Sequence, residues 1–166
     1  FEHLGRLDKV KVTLVGDGNN IAGSLALACS SVGADFTIAS PEKYRLPDEI
    51  WNQAIRLSRS KGSRLEWVEQ PERAVKGADV VYTDVWVSMG DEAEKEDRLK
   101  TFADYQVDEN LIGLAKPNVL FMHDMPAHRG EEISENLLDH PASVVFQQAE
   151  NRLHAQKAVL KNLFQD

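Results

Sequence analysis

The sequence predicts a doubly wound α/β fold, a mostly parallel sheet with helices on both faces. Short β-branched runs alternate with stretches of helical periodicity along the chain. Right-handed crossovers lay a helix over the sheet between successive parallel strands, so this alternation reads as a parallel sheet. In addition, three polar clusters directly follow predicted buried strands: Gly16-Asp17-Gly18-Asn19-Asn20, the run Asp84-Val85-Trp86-Val87-Ser88-Met89-Gly90, and the run from His123 to Gly130. Open α/β sheets bind ligands outside the carboxyl ends of their strands, so the three loops are expected to converge on one crevice and form a binding half-site.

Taken in order, residues 10–15 form a β-branched strand, and residues 21–32 repeat small and apolar side chains at helical spacing. Residues 36–39 are the next strand. A helix over 47–61 opens at Pro47, carries Ile50, Trp51, Ala54 and Leu57 on one stripe, and stops at Gly62. Residues 65–68 are a strand; Pro71 and Glu72 open a short helix through Val75 that Gly77 ends, and 79–83 is a strongly apolar strand. Eight of the ten residues 91–100 are charged, which reads as a solvated loop or helix face. One or two short helices are expected within 102–114, a strand over 119–122 and a last strand over 144–146. A helix over 150–164 closes the chain, with Leu153, Ala155, Ala158, Val159, Leu160 and Leu163 in a helical pattern that is expected to pack back on the domain.

With 166 residues, 42% hydrophobic and 28% charged, the chain suits one domain spanning 1–166. A net charge of -8 repels phosphate backbones and anionic membranes, which argues against nucleic acid or lipid and for a small-molecule partner. Cys29 is the only cysteine, so a disulfide or a cysteine zinc site within the chain is excluded, as suits a reducing cytoplasm. No stretch approaches the roughly 18 apolar residues of a membrane span. The start is not a signal peptide and lacks an initiator methionine, which points to a fragment or processed piece. Neither an internal repeat nor a low-complexity tract is present.

Alternation of this kind is Rossmann-like, and Gly16-x-Gly18 after a strand invites a dinucleotide reading. Position 21 is Ile, however, so the third glycine of Gly-x-Gly-x-x-Gly is missing. The amides of Asn19 and Asn20 suit a ligand bearing both an ammonium and a carboxylate; either asparagine alone also serves as a cap for the following helix. Asp84 ends a hydrophobic strand, an expensive place for a carboxylate unless it caps a helix, pairs with a cation or awaits one. With Ser88 and the amides of Met89 and Gly90 receiving an anionic group, the second cluster describes a zwitterion clamp, the alternative being a self-capped turn. The sharp bend of the third loop predicts a cis peptide before Pro126. His123 is read either as a partner for a substrate carbonyl or as a packed loop histidine, and His128 and Arg129 as ion-pair partners of Glu131 or Glu132. Glu150-Asn151-Arg152 is read as the amino end of the last helix, where Arg152 favours a phosphate-like anion; an exposed capping run is the alternative.

Together these residues resemble the ornithine-binding domain of the ornithine carbamoyltransferases. The motifs that carry the resemblance are Gly16-Asp17-Gly18-Asn19-Asn20, Asp84-x-x-x-Ser88-Met89-Gly90, His123-x-x-Pro126-Ala127-x-Arg129-Gly130 and Glu150-Asn151-Arg152-Leu153-His154-x-Gln156-Lys157-Ala158. The resemblance implies that Asn20, Asp84, Ser88 and Met89 bind ornithine, that His123 contacts the carbamoyl group and that Arg152 lies at the carbamoyl phosphate site. It implies transfer of the carbamoyl group to the ornithine δ-amine, giving citrulline and phosphate, in a homotrimer or a multiple of it. No metal or organic cofactor is expected.

The chain departs from that pattern twice. The family's carbamoyl phosphate domain, with its Ser-x-Arg-Thr-Arg loop, is absent, so the isolated chain is expected to be inactive. The family has His-Cys-Leu-Pro where this chain has His123-Asp124-Met125-Pro126. An ionised Asp124 about 4 Å from a phosphate charge would cost on the order of 4 kcal/mol at an effective dielectric near 20. The same carboxylate is placed to hold the δ-ammonium and accept its proton, so Asp124 joins His123 as a candidate catalytic residue. Other readings are a catalytically silent amino-acid-binding module, a carbamoyltransferase for a related acceptor such as an acylated ornithine or lysine, and, last, an NAD-binding oxidoreductase.

Overall fold

The computed structural model describes residues 1–88 and 90–164. Five strands, β1 (Lys11–Val15), β2 (Asp35–Ala39), β3 (Leu65–Val68), β4 (Val80–Thr83) and β5 (Leu120–His123), form one sheet in the order β3-β2-β1-β4-β5. Every pairing is parallel. The helices are α1 (Asn20–Val32), α2 (Asp48–Lys61), α3 (Pro71–Val75), α4 (Lys95–Phe102), α5 (Glu109–Gly113) and α6 (Val145–Leu163). Gly33 and Gly62 end α1 and α2 in the left-handed conformation, and Pro71 opens α3 where its missing N–H costs nothing.

Side chains alternate between the two faces of the sheet, and each face is buried. Leu14, Phe36, Ile38 and Tyr82 pack with Ala22, Ala26, Cys29 and Ala54 of α1 and α2. On the opposite face Val15, Val81 and Phe121 pack with Ala74, Val75, Leu111 and Ile112 of α3 and α5. The doubly wound prediction is thus met, and its strand order places the topological switch point between β1 and β4.

Three expectations are corrected. Residues 144–146 are not a strand: the chain makes a single parallel bridge, Ser143 to Phe121, and then turns into α6. Val144 N–H donates to the Phe121 carbonyl at 3.0 Å, and the Val144 carbonyl already accepts from Gln148 at 2.8 Å. A buried Val145 beside an exposed Phe146 suits the first turn of a helix as well as it suits a strand. In consequence Arg152 lies about two turns inside α6 and not at its amino end. Nor does the closing helix pack back: Leu153, Val159, Leu160 and Leu163 are exposed, and Val145 is the one buried residue of α6. Finally, the charged run is not wholly solvated, because Arg98 is buried. Among the described residues, no helix is long and apolar enough to cross a membrane.

Candidate functional site

Loops from the carboxyl ends of β1, β4 and β5 build the site. The first loop is shaped by glycine: a Cβ on Gly18 would come within 2.5 Å of the backbone of Arg45 and Leu46, and Gly16 has a φ of +136°. Asn19 then does two things at once. Its Oδ1 accepts from Ile21 N–H at 3.0 Å and Ala22 N–H at 3.2 Å, capping α1, and its Nδ2 donates to Asp84 Oδ2 at 2.7 Å. Because both capping partners are donors, the amide nitrogen must face Asp84. One side chain therefore links the switch-point strands and fills the helix amino end where a dinucleotide pyrophosphate would sit.

Asp84 is held on both oxygens, since Oδ1 accepts from Val85 N–H at 2.7 Å. Arg98 anchors the loop that follows. Its guanidinium donates to Asp17 Oδ2 at 2.7 Å and to the Trp86 carbonyl at 3.0 Å, lies 3.1 Å from Asp91 Oδ2, and sits over the Tyr44 ring. It thus grips this loop on either side of Ser88 and ties it to the first loop. Burial pushes the Asp17 carboxyl up, against the pull of Arg98.

The β5 loop is built differently. Asp84, His123 and Asp124 offer polar atoms within 4.8 Å of one another. Burial, and after it the charge of Asp84 and a hydrogen bond with that carboxylate, push the Asp124 carboxyl up to about 6. Its Oδ1 is buried with no hydrogen-bond partner. His123 is fully buried; Nδ1 accepts from Met125 N–H at 2.9 Å and Nε2 lies 3.2 Å from Glu132 Oε1. Neither ring nitrogen is free for a ligand in this arrangement. What remains of the cluster is a pair of carboxylates, a better match for an organic ammonium than for a transition metal that prefers imidazole. The Met125–Pro126 peptide is cis, as expected.

The structure brings Asp84, His123 and Asp124 together and leaves other candidates at the margin. Ser88 is half-buried in the second loop, and Met89 lies outside the described residues. Asn20 is exposed in the first turn of α1, so the inward partner is its neighbour Asn19. Arg152 is exposed on α6, yet it and Asp124 both act electrostatically on Tyr82, whose hydroxyl accepts from Gln148 Nε2 at 2.9 Å. Arg129 pairs with Asp139 at 2.9 Å and not with Glu131 or Glu132, while His128 Nδ1 does approach Glu132, at 3.6 Å. Arg98 escaped the sequence reading, and Glu132 was read only as an ion-pair partner of His128 or Arg129, not as a partner of His123. The first was hidden in a charge run; an acidic residue beside Ile133, just after the third cluster, was the one available hint of the pairing with His123.

Comparison with known proteins bears on the family of the chain. The Asp/Orn-binding domain of aspartate/ornithine carbamoyltransferases matches residues 8–163. The chain belongs to that family. Among curated relatives, the anabolic ornithine carbamoyltransferase of Pyrococcus furiosus is 51% identical over 160 residues, covering 96% of this chain and 51% of that protein. The ornithine carbamoyltransferase of Bacillus subtilis is 50% identical over 157 residues, covering 95% and 49%. The Pyrococcus furiosus ornithine carbamoyltransferase structure superposes with a TM-score of 0.92 at 51% identity, over 96% of this chain and 51% of that one. The Campylobacter jejuni anabolic enzyme gives 0.89 at 34% identity, over 98% and 54%. This carbamoyltransferase-family chain spans about half the length of the relatives it matches.

Proposed function

We propose that the chain is the ornithine-binding half of an ornithine carbamoyltransferase and that its acceptor site is the crevice between β1, β4 and β5. The observation that carries this is the pair of carboxylates, Asp84 and Asp124, at the switch point of a domain whose relatives are named for ornithine. In this reading Asp84 receives the α-ammonium, with Asn20, Ser88 and the Met89 amide completing a clamp on the amino-acid head. Asp124 receives the δ-ammonium. Arg152 and a carbamoyl phosphate domain outside this chain supply the second substrate, in a homotrimer or a multiple of it.

The chemistry asked of these groups is modest. The δ-ammonium gives a proton to Asp124, the free amine attacks the carbonyl carbon of carbamoyl phosphate, and the bond from that carbon to the phosphate oxygen breaks as phosphate leaves, taking with it the second proton that the attacking nitrogen gives up. A carboxyl raised to about 6 is a better proton acceptor than an ordinary carboxylate, narrowing the gap to an alkylammonium near 10. Holding the reactants in line contributes the rest. The chain alone, lacking most phosphate ligands, turns over nothing.

The test is citrulline formation by the protein joined to a carbamoyl phosphate domain, with the isolated chain as control and acylated ornithine, lysine and ornithine compared as acceptors. Turnover of ornithine by the joined form alone is the expected result. Binding of ornithine without turnover in the joined form would instead assign a silent amino-acid-binding module, and turnover by the isolated chain would refute the division of labour.

A further inference from the structure

We propose that Glu132 is a positioning residue for this site, acting through His123 to hold the backbone that carries Asp124 and Met125. The side chain is fully buried, a costly place for a carboxylate that packing alone does not require. What it does there is gather the loop at both ends. One oxygen, Oε1, faces the His123 ring at the start of the loop and accepts the backbone N–H of His128 at its end.

The hydrogen-bond roles follow without choice. Met125 N–H is a donor, so His123 Nδ1 must present a lone pair to it. The ring proton then sits on Nε2 and is donated to Glu132. Glu132 thereby selects the tautomer that leaves Nδ1 able to hold Met125, and Met125 needs holding: its φ is +62°, a left-handed conformation that is unfavourable for a side-chain-bearing residue. If the proton moved to Nδ1, donor would face donor and the Met125 amide would be released. Asp124, one residue before, would lose its place beside Asp84. His123 and Glu132 thus act on the site from behind, without touching the ligand.

The inference rests on reading Asp84 and Asp124 as the ornithine site, but its first test does not. In the chain labelled with nitrogen-15 at histidine, long-range proton–nitrogen spectra report the tautomer of His123 directly. The expected result is a protonated Nε2 and an unprotonated Nδ1, retained in Glu132→Gln, whose amide oxygen still accepts from both partners, and lost to mixed tautomers in Glu132→Met. Ornithine affinity, by calorimetry, is expected to fall about tenfold or more in Glu132→Met and to stay within about threefold in Glu132→Gln. A proton on Nδ1 in the unmodified chain overturns the proposal, and so does a Glu132→Met chain with unchanged tautomer and unchanged affinity. Should the tautomer follow Glu132 while no form binds ornithine, the positioning role stands and the ornithine reading fails.

Discussion

The loops after β4 and β5 each deliver one carboxylate to the same crevice, and they hold it in opposite ways. Asp84 has a donor on each oxygen, and the chain beyond it is gripped on either side of Ser88 by Arg98. Asp124 has a buried oxygen with no partner, and its loop hangs from the His123 imidazole, which is backed by Glu132. One carboxylate is fixed where it stands by a donor on each oxygen; the other is pushed up to about 6 by burial and by the first. A crevice with one settled and one unsettled carboxylate is suited to fixing one ammonium and exchanging a proton with another.

The largest expected effect comes from breaking the grip on the first loop. Arg98→Met leaves Asp17 buried without its partner, and removing one member of a buried pair costs about 3–5 kcal/mol. Urea unfolding is the measurement. A second substitution, Asp17→Leu, is expected to recover much of that loss because no uncompensated charge is left. No recovery would mean that Arg98 acts chiefly through Trp86 and Asp91.

That pair also marks where the sequence stopped being informative. Strand ends, glycine turns and Asp84 are legible because local rules govern them: period-two burial, a close approach at Gly18, a carboxylate after an apolar strand. The Asp17 and Arg98 side chains are 81 positions apart in the chain, and nothing local distinguishes Arg98 from the other charges of its run. The pairing of Glu132 with His123 is hidden in a similar way, since the two are brought together only by the folded loop. The strand expected at 144–146 failed because three residues alternating in burial fit a helix start equally well, and the bridge at Ser143 borrows one step of sheet before α6 begins. The closing helix reads as amphipathic from a real apolar pattern, and among the described residues that pattern is left exposed.

A substitution at Asp84 is the next effect in size. Asp84→Asn keeps the shape but removes the charge assigned to the α-ammonium, and hydrogen bonds to charged groups contribute about 1.5–3 kcal/mol, so ornithine affinity is expected to fall by about 10- to 150-fold. Calorimetry on the chain reads it. The same substitution relieves the charge that raises Asp124, so the Asp124 carboxyl, followed by carbon-13 NMR, is expected to titrate lower than about 6 in Asp84→Asn. If affinity is unchanged while Asp124 moves, Asp84 serves only to tune its neighbour.

The smallest effect separates the two carboxylates most sharply, because it appears only over part of the pH range. The folded chain holds the Asp124 proton up to about 6, whereas the unfolded chain releases it near the ordinary value of 3.8. Below that value both states are protonated and Asp124→Asn is expected to be silent. Between the two values the folded state binds more protons than the unfolded, so stability of the unmodified chain falls as pH rises. Above about 6 the penalty is complete, and Asp124→Asn is expected to be more stable by about 1–2 kcal/mol, less than the full shift implies because the side chain is partly exposed to solvent. An ammonium seated between the carboxylates favours the ionised form, so by reciprocity ornithine is expected to bind more tightly as pH rises through about 6 and to release a proton there. In the joined enzyme, Asp124→Cys is expected to shift the pH profile. A profile that did not move would leave Asp124 without a part in the proton transfer, and a stability difference independent of pH would show that its burial, and not its charge, is what the fold tolerates.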